Sequence, residues 1–324
     1  MWLLKVSRIS LPRRWLGYAV IRALSSVIGV VVAVFFIIRI VPGDPAKMIL
    51  GEHSSPEAIA EMRTRLGLDL HPVEQFLRFL RVLFTQGDTG DSIFYGTPAK
   101  VLIAERAPVT LLLIAMAGIL AMALALCLAL LAATHKDGPL DHLIRVLPAV
   151  TLGMPVFWVG LLLILVFAVW LRWFPVGGAG NGPAGTLYSL TLPAITVAFS
   201  LAPPLIRSLR TQLLEELESN FVVALKAAGI PRRVILVKHV LRNAALPTLM
   251  LFGVNISYLV GGTLVVEQVF GIRGIGSLLF SAIANRDFPV IQGIALYCAA
   301  SVVIITFLIE ILSRRLDPRL RGPA

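Results

Sequence analysis

The sequence predicts an all-helical, polytopic membrane protein with about six transmembrane helices. Of its 324 residues, 57% are hydrophobic and only 15% charged, and the mean hydropathy is +0.87. A soluble domain of this size does not keep that balance. Apolar stretches near the roughly 20 residues that a membrane helix needs recur at 17–40, 108–134, 144–171, 187–206, 245–268 and 289–312. The Lys and Arg residues gather between these stretches rather than inside them.

The first stretch follows a basic N-terminus and shows no small-residue cleavage site, so it is expected to stay as a span. The fourth is the weakest, because it carries Pro193, Pro203 and Pro204. Prolines also fall in or beside four others, at Pro108, Pro148 and Pro155, Pro247 and Pro289. Membrane helices tolerate proline where neighbours satisfy the freed carbonyls, so a bundle of kinked, mutually mobile helices is expected. Cys127 and Cys298 lie within apolar stretches and read as buried small side chains, not a disulfide framework.

Orientation follows from the bias in Lys and Arg. One side collects Lys5, Arg8, Arg13 and Arg14, then Lys136 and Arg145. It continues with Arg207, Arg210, Lys226, Arg232, Arg233, Lys238 and Arg242, and ends on Arg314, Arg315, Arg319 and Arg321. The two short loops opposite hold only Arg172, and Arg273 with Arg286. The long loop 41–107 carries seven basic residues, but long loops cross largely regardless of charge. Both termini (1–16 and 313–324) and the loop 207–244 are therefore expected in the cytosol. This topology accounts for the net charge of +11. Nucleic-acid binding is not expected, since it would concentrate that charge on one surface with aromatic platforms.

Residues 17–107 form the first span plus a helical extracytoplasmic insertion, and 108–312 the core of the membrane domain. Within the insertion Ser55-Pro56-Glu57 starts a helix, Glu61 and Arg65 pair along it, and Gly67 ends it. His71-Pro72 starts another, with Val73, Phe76, Leu77, Leu80 and Phe84 on one face. Such an amphipathic helix either lies on the bilayer or packs over the mouth of the bundle, and the second is favoured. Pro42-Gly43-Asp44-Pro45 reads as a tight turn that stops the first span.

The cytosolic stretch 220–247 is the most informative. Asn220 is expected to cap a helix over Phe221–Ala228, Gly229 to end it in the left-handed conformation, and Pro231 to open the next helix. The first of these helices is apolar nearly all round, with Lys226 its main polar interruption. It is unstable in water unless covered, most simply by another protein.

Catalytic signatures are absent. No G-x-x-x-x-G-K-[ST], H-E-x-x-H or G-x-S-x-G occurs, so ATP hydrolysis is not expected in this chain. The five histidines (His53, His71, His135, His142, His239) have no metal-ligand spacing, and no metal is expected. Gly271-Ile-Arg-Gly274-Ile-Gly276 reads as a flexible outer turn rather than a dinucleotide fingerprint, since no strand precedes it. Arg22 and Arg39 lie near opposite ends of the first span, and Glu310 near the inner end of the last, where long side chains reach out or pair. Glu267, near the outer end of the fifth span, either lines or gates the path or is a satisfied carboxylate.

A series of short motifs runs along the chain: Pro42-Gly-Asp-Pro45, Leu66-Gly-Leu-Asp69, Gly87-Asp-Thr-Gly90-Asp-Ser92 and Arg106-Ala-Pro108-Val-Thr110. It continues in Ala227-Ala-Gly229 through Pro247, Glu267-Gln-Val-Phe-Gly271, Arg286-Asp-Phe-Pro289 and Leu316-Asp-Pro-Arg319. In this order and spacing, they resemble the permease subunits of oligopeptide, dipeptide and nickel ABC importers. The resemblance implies a type I importer transmembrane domain in a bacterial plasma membrane, surrounded by lipid. It implies a second homologous permease, two cytosolic ATPases that hold ATP and Mg, and an extracytoplasmic peptide-binding protein as partners. It makes 220–232 the coupling (EAA) loop that seats on an ATPase through Phe221, Ala224, Lys226, Ala227 and Gly229. Val223 stands where an acidic residue is usual and Leu225 replaces an alanine, while the basic residues common in the peptide subfamily are missing at 223 and 228. Peptide is the expected substrate, because the spans hold no His, Cys or carboxylate cluster for a transition metal. Nickel, glutathione and other small solutes are the alternatives. A secondary transporter would need intramembrane carboxylates or a repeat with broken helices, which the spans do not offer.

Overall fold

The structure, a computed structural model, describes residues 13–40, 45–50 and 54–316. The turn at Pro42-Gly43-Asp44, His53, the Glu61–Arg65 pair and both chain ends fall outside what is described.

Helix α1 (Arg13–Ile40) is followed by α2 (Pro45–Leu50), α3 (Pro56–Leu66) and α4 (Pro72–Gln86) of the insertion. The expected starts and stops of α3 and α4 are present. Ser55 Oγ accepts from the Ala58 amide at 3.2 Å, Gly67 closes α3 in the left-handed region, and His71 caps α4. One edge of helix α4 sits on α1, where Phe76 and Phe79 meet Phe35 with ring centroids 5.0 and 5.6 Å apart. Val73, Leu77 and Phe84 on the same helix remain exposed.

Helix α5 (Ala99–Thr134) crosses with Pro108 inside it. Ala117, Ala121, Ala125 and Ala129 recur every fourth residue and are wholly buried. That stripe lets α5 lie close against α8 (Gly182–Leu217). Helix α8 is the hub: it touches α5, α6 (Pro139–Leu152), α7 (Val156–Leu163) and α11 (Leu241–Val269). Its apolar window is 72% buried, against 6% for α13 (Phe288–Leu316). The weakest expected span is thus the most enclosed one. A helix surrounded by protein has no need of lipid-facing apolar bulk, and Pro193 and Pro203 are themselves buried.

The expected span 144–171 is not one helix. It breaks at Gly153-Met154-Pro155 into α6 and α7, and α7 continues as a π-helical segment, Ile164–Trp170. Proline disfavours the helical region for the residue before it, and Pro155 itself is extended (φ −59°, ψ 134°). Among the described residues four helices are long and apolar enough to cross a membrane: Ala99–Thr134, Gly182–Leu217, Arg232–Val269 and Phe288–Ile311. Leu24–Phe36 and Val156–Trp170 are shorter apolar helices. Cys127 is exposed on α5 rather than buried, and Cys298 is half-buried. In the N-terminal half of α1, Arg22 pairs with Glu310 of α13 at 2.8 Å.

Candidate functional site

The segment after α8 folds into α9 (Asn220–Ala227), the three-residue α10 (Arg232–Val234) and a π-helical segment, Ile235–Val240, that runs into α11. Ser219, not Asn220, is the residue before the first turn of α9; its backbone is extended (φ −69°, ψ 151°). Its hydroxyl donates back to the Glu216 carbonyl at 2.5 Å, so no side chain caps α9. Gly229 does end the helix in the left-handed region (φ +75°), its amide donating to Lys226 O at 3.0 Å while Ile230 N donates to Leu225 O. Pro231 then precedes α10, as expected.

Helix α9 is covered on one side by its own chain. Val222 is wholly buried in a cluster with Ala129 and Ala133 of α5, Leu209 and Leu213 of α8, and Ile235, Val240 and Ala244. Phe221, Val223, Ala224, Lys226, Ala227 and Gly229 are exposed. Asn220, Val223, Ala224 and Ala227 form one face at helical spacing, and it carries no charge. The expectation that the whole helix needs an outside cover is corrected: Val222 anchors it, and an apolar face is left open.

Glu267 lies elsewhere, near the C-terminal end of α11. Its carboxylate is wholly buried and accepts from the Thr110 hydroxyl of α5 at 2.6 Å and from the Gly276 amide at 2.7 Å. The Ile275 amide donates to Thr110 Oγ1 at 2.9 Å, so Thr110 joins α5, α11 and α12 (Ile275–Ala284). A Cβ on Gly274 or Gly276 would collide with the carboxylate. The turn is therefore closely packed at Gly274 and Gly276, and Glu267 is a satisfied internal carboxylate that lines no open path in this structure.

Two buried aspartates complete the polar framework. Asp287, between α12 and α13, accepts from the Ser92 hydroxyl and from the Ile93 and Phe94 amides at 3.1 and 3.3 Å. It pins the loop after α4 to the start of α13, helped by Thr89 Oγ1 donating to Pro289 O at 2.7 Å. On the opposite end, Asp141 of α6 receives a bidentate Arg210 of α8, at 2.6 and 2.7 Å. The Arg210 guanidinium holds the Asp141 carboxyl below its ordinary range, against the opposing effect of burial.

The family described as "Binding-protein-dependent transport system inner membrane component" matches residues 125–322, and its N-terminal counterpart matches residues 10–113. The chain belongs to this family. Relatives of this inner-membrane component are similar along nearly their whole length. One, from Brucella abortus (strain 2308) and named as a peptide transport system permease, is 34% identical over 305 residues, covering 93% of this chain and 97% of that one. The oligopeptide transport system permease protein AppB of Bacillus subtilis is 33% identical over 313 residues, 94% and 99% of the two chains. The glutathione transport system permease protein GsiC of Salmonella paratyphi A is 32% identical over 292 residues, 90% and 94% of the two chains. Among solved structures, the MetNI methionine ABC transporter in an inward-facing conformation superposes with a TM-score of 0.57 at 16% identity, over 67% of this chain and 96% of that one. An amino acid ABC transporter gives 0.52 at 16% identity, over 67% and 94%. The permease thus has the fold of an ABC importer transmembrane domain.

Sequence reasoning singled out Glu267 and α9, named Thr110 and Asp287 only within motifs and Arg210 only among the basic residues, and missed their structural roles and Asp141 altogether. A lone threonine in an apolar span does not show by itself what it binds. The bidentate pair joins residues 69 apart, which only packing brings together.

Proposed function

We propose that this permease forms half of the translocation path of an ATP-driven peptide importer, pairing with a second homologous permease. Its α9 seats on a cytosolic ATPase subunit, one on each permease, and ATP and Mg reside in those subunits. An extracytoplasmic binding protein delivers the peptide to the outer loops. The observation that carries this reading is α9 itself. Its buried side fixes it to the bundle through Val222, while the face of Val223, Ala224 and Ala227 stays open and uncharged. Two-sided anchoring of that kind lets a partner's movement pass into the membrane helices. The peptide substrate is supported by the names of the relatives, and GsiC makes glutathione, itself a small peptide, the second substrate to test.

The test is reconstitution. The purified permease is expected to retain an ATPase subunit, and the reassembled complex to take up labelled di-, tri- and pentapeptides or glutathione only with ATP and the binding protein. Uptake by the isolated chain without nucleotide would overturn the reading.

A further inference from the structure

The turn between α5 and α6 grips the last turns of α8 at two places. Asp141 binds Arg210 through two hydrogen bonds, and the Asp137 amide donates to the same carboxylate at 3.2 Å. Asp137 is left-handed (φ +60°), a conformation aspartate tolerates, and this aims its amide at Asp141. Arg145 adds a looser contact at 3.8 Å. Lys136, from the same turn, reaches Glu218 at 2.5 Å. Arg210 and Glu218 are eight residues apart, or about 12 Å along a helix at 1.5 Å per residue. From the other side, the Asn243 side-chain amide donates to Glu216 Oε2 at 3.2 Å. Helix α9 begins just two residues beyond Glu218, across Ser219.

We propose that the α5–α6 turn is a positioning clasp for the coupling segment, with Asp141–Arg210 as its fixed rung and Lys136–Glu218 as its outer rung. This rests on the reading of α9 as the ATPase-docking helix. Val222 already anchors α9 in the apolar cluster, and the clasp adds a polar tie on either side of Glu218-Ser219 that resists bending there when α9 is displaced. Because Arg210 and Glu218 are both tied to residues 136–141, a tilt of α8 is coupled to α5 and α6. The clasp acts through α9 and touches neither nucleotide nor solute.

The outer rung gives the cleaner test, since both its side chains are solvent-exposed and their reversal leaves the fold intact. Permease carrying Lys136→Glu, Glu218→Lys or both is assembled with its ATPase subunits and binding protein in vesicles. Uptake of labelled di-, tri- and pentapeptides is measured against ATP hydrolysed. Each single reversal is expected to lower solute moved per ATP about fivefold, the lower range of an inter-site coupling, with ATPase retention unchanged. The double reversal is expected to restore it. Arg210→Lys, which keeps the charge but loses the two-pronged contact, is expected to lower the same ratio. Unchanged ratios in the single reversals, or no recovery in the double, would overturn the clasp while leaving the importer reading intact. A wild-type complex without nucleotide-driven uptake would overturn both.

Discussion

Thr110 shows how one hydroxyl can hold three helices. It donates to Glu267 Oε1 and accepts from the Ile275 amide, so replacing it by valine leaves a buried carboxylate short of a donor and an amide unpaired. Thr110→Val is expected to destabilise the permease by roughly 1–3 kcal/mol, with Thr110→Ser close to wild type. Thermal unfolding in detergent distinguishes the two. Asp141 gives a pH prediction at the same scale. Arg210 lowers its pKa from 3.8, so the ionised form is favoured by folding. That contribution is fully present above the unfolded value of 3.8 and is lost as pH falls below it through the folded value. The stability gap between wild type and Asp141→Asn is therefore expected to be constant at neutral pH and to close as pH falls below about 3.8.

At the scale of the element, the proposed docking role of α9 can be separated from its part in folding. Val222→Asp would bury an unpaired charge in the apolar cluster under α9, and loss of folded protein on size-exclusion chromatography is expected. Val223→Glu sits on the open face and is expected to leave the fold unchanged while weakening ATPase retention. Gly229→Ala should cost roughly 1–2 kcal/mol from the left-handed backbone alone. Gly229→Pro goes further, since proline fixes φ near −65° and removes the amide that donates to Lys226 O. It is expected to abolish peptide uptake while the protein still inserts in the membrane, and full uptake in that variant would exclude the bend as a transmitting element.

Across the whole molecule, buried carboxylates mark where distant segments meet. Glu267 and Asp287 join segments at one end of the bundle, and Asp141 at the opposite end, where a chain of apolar helices has few directional contacts. Asp287→Ala is expected to free the loop from Gly87 to Pro98, whose Ile93 and Phe94 amides lose their carboxylate acceptor and donate to water instead. Faster hydrogen exchange and proteolysis confined to that loop, with α5 and α8 still protected, would be the signature. Protection unchanged in the loop would show that Thr89 and the backbone hold it without the carboxylate.

The sequence by itself determined the membrane character, the helical starts at Ser55 and His71, and the bend at Gly229, because each rests on local chemistry: hydropathy, a cap, a left-handed glycine. The break at Gly153–Pro155 was also written locally, in the proline, but a continuous apolar run concealed it. Tertiary structure alone decided that the proline-laden α8 is the centre of the bundle, that Glu267 is enclosed, and that Asp141 meets Arg210. Burial in a membrane protein depends on which face meets lipid and which meets another helix. The two environments are nearly alike in polarity, so hydropathy cannot tell them apart; close packing of small side chains can, and it exists only once the helices are together.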